Sequence, residues 1–342
     1  ESISEFLYTH PFLDYYVMFE GEIPFANLIE EILTNSSNPT LPPGVAGLKD
    51  QQFCYSPFDT TAQAREIITP SPYLTGILDE FITDKQTMPL FETNRGCPFE
   101  CSFCAWGISA LSRIRIRDLD TIFQELSYVA EHSASQVQWL FADANFGVVA
   151  RDIQIAHHVR EIMDTYGYPT SVTLWASKNT TTRNIEIADI INDAQGYIAL
   201  QSTDETVLEN AGRGRIRLDH LKSLISHFRS RGLDIRTDLL IGLPGESAAS
   251  HMNSLADCFD LGFSHMNLHN IRMLPGSEYE TEQQRSQYQV VTKFRPIFGA
   301  YGIYDGKHVF ETEESVRSTS SMTESEMESF KILHWLVYFC WN

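Results

Sequence analysis

The sequence lacks any apolar run long enough to cross a bilayer. Its longest, Ile332 to Trp341, is interrupted by His334 and falls well short of the ~20 residues a membrane helix needs. It also lacks a basic leader, because its first residues carry acid, so no signal peptide is read there. Base is scarce throughout. Against 45 Asp and Glu stand 25 Lys and Arg, and the net charge of −20 repels phosphate backbones and disfavours nucleic-acid binding. Arg113, Arg115 and Arg117 form one small basic cluster, read as a solvated face or a contact for a substrate anion. Six cysteines in 342 residues are too few for a disulfide scaffold. Three of them, Cys97, Cys101 and Cys104, crowd together while Cys54, Cys258 and Cys340 are scattered. That asymmetry points to a metal site in a reducing, cytoplasmic compartment. No internal repeat of solenoid period is present.

What is there divides into four stretches. Residues 1–34 hold a strand-like piece, Tyr15 to Phe19, then Glu20-Gly21-Glu22 and an amphipathic stretch from Phe25 to Leu33. That is too little for a core and reads as the last unit of a domain. Residues 35–86 are rich in Pro, Ser, Thr and Asn, and read as a linker with a fixed path. Over 87–280, strand-length apolar runs alternate with amphipathic helix-length segments. The strands are expected at Leu90–Thr93, Val137–Phe141, Ser171–Trp175, Tyr197–Gln201, Ile235–Ile241 and Met266–Ile271. The helices are expected at Leu119–Glu131, Ile153–Thr165, Ile185–Asn192, Leu218–Ser230 and Ser247–Leu261. Such alternation implies parallel strands with helical crossovers, as a partial (β/α)6 TIM-like barrel or an open α/β sheet, with ligands at the carboxyl ends of the strands. Residues 281–342 read as a helical C-terminal extension, with a capping box at Thr323 and Glu326 opening a final helix. The start at Glu1 without Met, and the stop at Asn342 straight after an apolar run, suggest a fragment of a longer chain.

The chemistry concentrates in Asn94-Arg95-Gly96-Cys97-Pro98-Phe99-Glu100-Cys101-Ser102-Phe103-Cys104-Ala105-Trp106-Gly107, directly after the first expected barrel strand. Three thiolates in CxxxCxxC spacing can surround one 4Fe-4S cube and leave its fourth iron open. Gly96, Pro98 and Gly107 let the chain wrap a cube. Three alternatives compete. A structural zinc needs four ligands, and the nearest histidine is His132. A ferredoxin-like carrier normally needs a fourth cysteine. Chance clustering is the third.

The CxxxCxxC run with an aromatic before its last cysteine resembles the signature of the radical S-adenosylmethionine superfamily, and residues 88–280 resemble its core barrel. The resemblance implies that the amino and carboxylate groups of S-adenosylmethionine chelate the open iron. An electron from a flavodoxin- or ferredoxin-type reductant then cleaves the cofactor, and the resulting 5′-deoxyadenosyl radical abstracts hydrogen from a small-molecule or peptide-like substrate. It also implies a cofactor cradle. Asp143 and Asn145 stand where the family binds the methionyl ammonium, and capping of the following helix is the alternative for Asp143. Lys178, in Ser177-Lys178-Asn179, is a cation for the cofactor carboxylate or a surface lysine. Gln201 and Ser202 stand where ribose hydroxyls are bound, with helix capping as the alternative for Ser202. Gly242 and Gly245, in Ile241-Gly242-Leu243-Pro244-Gly245-Glu246, match the glycine-containing adenine motif. Phe103 and Trp106 shield the cluster or pack on the adenine, or simply belong to the core.

Phe19-Glu20-Gly21-Glu22, Pro43 to Leu48 and Ser71 to Leu74 are similar to the junction in cobalamin-associated radical enzymes, where a Rossmann-like cobalamin domain precedes the barrel. No Asp-x-His-x-x-Gly motif for ligating cobalamin is present. Methyl transfer is therefore one expected outcome. A cyclase or rearrangement enzyme without methyl transfer is the second, and a non-catalytic iron–sulfur electron carrier the third.

Overall fold

The computed structural model describes residues 3–35, 39–58, 66–107, 113–133, 138–176, 181–191, 196–214 and 216–341. Six short parallel strands carry the centre of the chain: β1 (Leu90–Phe91), β2 (Gln138–Phe141), β3 (Ser171–Thr173), β4 (Gly196–Tyr197), β5 (Ile235–Ile241) and β6 (His265–Asn270). β2 lies between β1 and β3, and β5 lies between β4 and β6, all in parallel register. Among the described residues no ladder joins β3 to β4, so the six strands form two arcs rather than a closed ring. Backbone bonds carry the β4–β5 pairing on to Gln201, whose N–H donates to the Asp238 carbonyl and whose carbonyl accepts from Leu240.

The helices are α1 (Leu119–His132), α2 (Asp152–Tyr166), α3 (Thr181–Ile191), α4 (Glu205–Asn210), α5 (Leu218–Ser230) and α6 (Ala248–Leu261). Their apolar faces explain their placement. On α1, Ile122, Leu126 and Val129 are buried one turn apart, and Asp118 caps the first turn by accepting from Thr121 N–H at 2.9 Å. α6 opens on a reciprocal Ser247–Ser250 capping box and ends at left-handed Gly262. β5 alternates strictly: Ile235, Thr237, Leu239 and Ile241 are buried, while Arg236, Asp238 and Leu240 face the other way. The core is one cluster in which Phe91, Trp139, Phe141 and Phe146 pack with Ile155, Val159 and Ile187. No helix among the described residues is long and apolar enough to cross a membrane.

Two stretches depart from expectation. The first is the start of the chain. Helix Ile3–Thr9, strand Tyr15–Val17 and helix Glu22–Thr34 are followed by two further strands, Val45–Lys49 and Gln52–Tyr55, inside the stretch read as linker. They make an antiparallel three-stranded meander with Tyr15–Val17, not the parallel pairing of a Rossmann-like tail. The connection at Asp50-Gln51 has two positive φ angles, the tight hairpin geometry that a search for Pro and Gly overlooks.

The second departure corrects the expected helical C-terminal extension. Strands β7 (Val291–Tyr304) and β8 (Lys307–Ser318) form a long antiparallel hairpin, and only then does helix α7 (Glu324–Cys340) begin. Asp305-Gly306, with φ of 50° and 75°, is the turn, and flanking β-branched and aromatic residues favour strands. α7 does open on the reciprocal Thr323–Glu326 capping box. It buries Met327, Phe330 and Val337 against the barrel.

Candidate active site

The cysteine loop is positioned by its two flanks. After β1, Asn94-Arg95 pairs antiparallel with Arg115-Ile116, and left-handed Gly96 (φ 102°) reverses the chain into Cys97. Cys97 and Cys101 are buried and Cys104 is half-buried. Ser102 N–H donates to the Ala211 carbonyl at 2.9 Å, and Tyr279 N–H donates to the Ser102 carbonyl at 2.7 Å. Position 212 must be glycine, since a Cβ there would stand 2.5 Å from the Glu100 carbonyl oxygen.

That close approach delivers a residue which sequence reasoning missed. Arg213, only 6 % exposed, points Nη1 at the Cys101 sulfur from 3.8 Å and donates Nη2 to the Ala199 carbonyl. Burial lowers its pKa, while the sulfurs of Cys101, Cys104 and Cys97 oppose that shift. One buried guanidinium therefore feels all three cysteines. Among the described residues, no three His, Cys, Asp or Glu side chains gather as a site for a single metal ion. A cube differs from that case, because it spreads its ligands over separate irons.

The loop after β2 supplies the next layer. Asn145 is buried; its Nδ2 donates to the Cys97 sulfur at 3.2 Å, and its Oδ1 is buried with no partner. An orphaned acceptor beside the thiolates suits a donor from a bound ligand. Asp143 behaves otherwise. Its carboxylate accepts from Thr93 N–H (2.8 Å), Asn94 N–H (2.9 Å) and Thr93 Oγ1 (2.5 Å). It braces the entry to the cysteine loop rather than presenting itself to a ligand. Burial pushes its pKa up to about 7. Nor does it cap α2. Asp152, the first residue of α2, accepts from Gly147 and Val149 N–H through one oxygen and so braces the loop before the helix, whose first turn has no side-chain cap.

The remaining expected residues fall out as follows. Gln201 is buried four residues beyond β4, in an isolated parallel bridge to Leu239, with a positive φ of 72°. Ser202 Oγ sits 3.2 Å from Ser254 Oγ and accepts from Asp204 N–H, while Asp204 caps α4. Its surroundings are those of a turn brace. Gly242 and Gly245 both have positive φ, at the carboxyl end of β5. Gly242 N–H donates to buried Glu246 Oε2 at 2.7 Å, and Gly242 carbonyl accepts from Tyr279 OH at 3.1 Å. Phe103 packs partly buried against the core, and Trp106 is 42 % exposed. Lys178 lies outside the described residues.

Arg115 and Arg117 are not the solvated face expected of them. Both are buried; Arg115 pairs with Glu20, while Arg117 donates to the Thr69 carbonyl at 3.0 Å and lies 3.9 Å from Glu125. Arg95, one residue before Gly96, meets Glu20 at 2.9 Å, Glu22 at 2.7 Å and Glu92 at 2.6 Å. The Phe19-Glu20-Gly21-Glu22 segment is thereby held over the cysteine loop. Between them lies a cavity of about 440 Å³ lined by Phe19, Glu22, Glu92, Gly96, Trp106 and Arg113, among others.

Comparison with known proteins agrees with this geometry. Residues 91–258 match the Radical SAM superfamily. The chain is 30% identical over 340 residues to the cobalamin-dependent radical SAM methyltransferase TokK of Streptomyces tokunonensis, covering 96% of this chain and 49% of that one. It is 29% identical over 333 residues to the 2-(S-pantetheinyl)-carbapenam-3-carboxylate methyltransferase of Streptantibioticus cattleyicolor, covering 94% and 48%. The chain thus spans about half the length of the curated relatives it matches. Its fold is similar to that of the radical S-adenosylmethionine methyltransferase TsrM from Kitasatospora setae, solved with cobalamin and a [4Fe-4S] cluster. The TM-score is 0.70 at 13% identity, over 97% of this chain and 69% of that one. With its cysteine loop at the carboxyl end of the first barrel strand, this chain belongs to the radical SAM superfamily.

Proposed function

We propose that this chain is the catalytic core of a cobalamin-dependent radical S-adenosylmethionine methyltransferase acting on a small molecule. The carrying observation is the joint environment of Cys97 and Cys101. A buried cation, Arg213, reaches one sulfur, and an amide with an orphaned oxygen, Asn145, reaches the other. When bound, a 4Fe-4S cluster would supply the electron that splits S-adenosylmethionine into methionine and a 5′-deoxyadenosyl radical, and a cobalamin would supply the methyl group.

The chain's own residues do the rest. Cys97, Cys101 and Cys104 would hold the cluster through three of its irons, leaving one for the cofactor's methionyl end. Asn145 Oδ1 accepts from the methionyl ammonium, and its Nδ2 steadies the Cys97 thiolate. Arg213 pairs with the methionyl carboxylate, the task expected of Lys178. The backbone of Gly242 to Glu246 receives the adenine, and Gln201 faces the ribose. Phe103 and Trp106 keep water from the cluster. The cavity between Phe19, Arg95 and Trp106 opens beside Gly96, and its volume of about 440 Å³ suits a small methyl acceptor. A flavodoxin- or ferredoxin-type protein provides the electrons.

The test is anaerobic reconstitution with iron, sulfide and cobalamin, reduction by dithionite, and chromatography for 5′-deoxyadenosine and S-adenosylhomocysteine. Both products, abolished in Cys101→Ala, are expected. 5′-Deoxyadenosine alone, unchanged by cobalamin, would favour a cyclase or rearrangement enzyme. Equal, trace release from the wild type and Cys101→Ala would end the enzymatic reading and leave an electron carrier.

A further inference from the structure

The cysteine loop and the turn after β5 are far apart in sequence, yet a single side chain spans them. Tyr279 sits in a short turn, Glu278–Glu280, and is 1 % exposed. Its backbone N–H donates to the Ser102 carbonyl at 2.7 Å, between Cys101 and Cys104. Its phenol donates to the Gly242 carbonyl at 3.1 Å. The two bonds leave opposite ends of one rigid residue, so the separation of loop and turn is fixed by the length of a tyrosine.

Gly242 is held from its other sides as well. Its N–H is taken by Glu246 Oε2 at 2.7 Å, and Glu246 Oε1 lies 2.8 Å from buried His251 Nδ1. His251 Nε2 in turn lies 2.9 Å from His334 Nε2 on α7. A Cβ on Gly242 would approach Val316 to 3.2 Å and Met327 to 3.4 Å. The turn is therefore braced by the C-terminal hairpin and helix and tethered to the cysteine loop through the Tyr279 hydroxyl; a longer path runs from the Pro244 carbonyl, which accepts from Asn210 Nδ2 at 3.3 Å, to Ala211, whose carbonyl accepts from Ser102 N–H. Burial and the Glu246 carboxylate push the phenol pKa up, so it remains a donor.

We propose that Tyr279 is a positioning residue that sets the span between the cluster loop and the nucleotide turn, and with it the affinity for S-adenosylmethionine. This rests on the reading that the loop and the turn hold opposite ends of that cofactor. Removing the hydroxyl leaves a buried carbonyl unpaired and frees the turn to drift from the cluster.

The experiment compares reconstituted holoenzymes: wild type, Tyr279→Phe, Tyr288→Phe as a neighbouring-tyrosine control, and Gly245→Ala. Iron content, thermal midpoint, the dissociation constant for S-adenosylmethionine by equilibrium dialysis, and the paramagnetic spectrum of the reduced cluster are recorded for each. Tyr279→Phe is expected to keep its iron and its cofactor-induced spectral change at saturation, while its dissociation constant rises roughly five- to tenfold. Tyr288→Phe should bind as the wild type does. A wild-type dissociation constant in Tyr279→Phe, an equal rise in both tyrosine variants, or a loss of iron in place of affinity would overturn the assignment. Gly245→Ala separates the two levels. If it binds as tightly as wild type, the turn does not touch the cofactor and the underlying reading fails. If it binds weakly while Tyr279→Phe is normal, only the role of Tyr279 fails.

Discussion

The Asn145 amide donates to the Cys97 sulfur across 3.2 Å, which joins the loop after β2 to the loop after β1 at one of the three clustered cysteines. The opposite atom of that amide, Oδ1, is buried and unpartnered. Asn145→Leu keeps the volume and removes both functions. Cluster assembly should persist, because three thiolates still bind it, while affinity for S-adenosylmethionine falls roughly tenfold or more. Equilibrium dialysis of the iron-loaded variant checks this, and unchanged affinity would remove Asn145 from the cradle.

The cysteines divide into two groups. Cys97→Ala, Cys101→Ala and Cys104→Ala should each abolish the visible absorbance of the reconstituted cluster. Cys54, Cys258 and Cys340 stand elsewhere, half-buried, buried and exposed respectively, and their alanine variants should retain it. Loss of absorbance in the second group would mean that the ligands are misassigned.

Arg213 places a positive charge beside an anionic cluster in a buried setting. Electrons added to the cluster are stabilised by such a charge, so Arg213→Gln should shift the midpoint potential to more negative values, on the order of 100 mV. Arg213→Lys should recover part of that shift. Redox titration followed by electron paramagnetic resonance measures it; an unchanged or more positive potential in Arg213→Gln would refute the electrostatic role.

Asp143 carries a pH signature. Its folded pKa is raised, to about 7 from an ordinary value of 3.8, by burial. The folded state therefore binds the proton more tightly than the unfolded chain does. The stabilisation this provides is complete below about pH 4 and fades as pH rises towards 7. Asp143→Asn preserves the acceptor for Thr93 and Asn94 N–H and cannot titrate. The stability of wild type relative to Asp143→Asn should fall between pH 4 and 7 and level off above. Denaturant titrations of the two proteins at matched pH give the difference, and a flat difference would contradict a raised pKa.

The β7–β8 hairpin turns on Asp305-Gly306. Gly306 has a φ of 75°, and a Cβ added there would meet nothing within 4 Å. Gly306→Ala meets no clash, so it isolates the backbone cost, about 1–2 kcal/mol, of a left-handed alanine. Thermal denaturation should register that loss while cluster absorbance stays unchanged. Loss of the cluster would show that the hairpin tip communicates with the cysteine loop.

Much of the centre was legible because its signals are local. β-Branched and aromatic runs alternating with helix-length amphipathic segments announced six parallel strands, and CxxxCxxC after the first of them announced the cluster loop. The final helix was legible from Thr323 and Glu326, whose reciprocal bonds span one turn. The hairpin was not legible, although Asp305-Gly306 is a good turn pair. The acidic, Ser/Thr-rich composition after Glu311 masks the alternation, and a long two-stranded ribbon has no strict inside and outside to sharpen its pattern. Arg115 and Arg117 looked solvated because their partners, Glu20 and Glu125, cannot be recognised from sequence distance.

By itself, the sequence determined which cysteines are the candidates to hold a cluster, since ligand type and spacing within eight residues need no knowledge of the rest of the chain. It also determined the alternation of strand and helix, which follows from periodicities of two and 3.6 residues. Only the tertiary structure decided what surrounds those cysteines. It brought Arg213 to Cys101 and Asn145 to Cys97, turned Asp143 from a ligand contact into a brace for Thr93 and Asn94, and set Tyr279 between Ser102 and Gly242. Those are contacts between residues some 37 to 177 positions apart, created when separate strand ends converge on one face of the barrel, and no local pattern encodes which of them will meet.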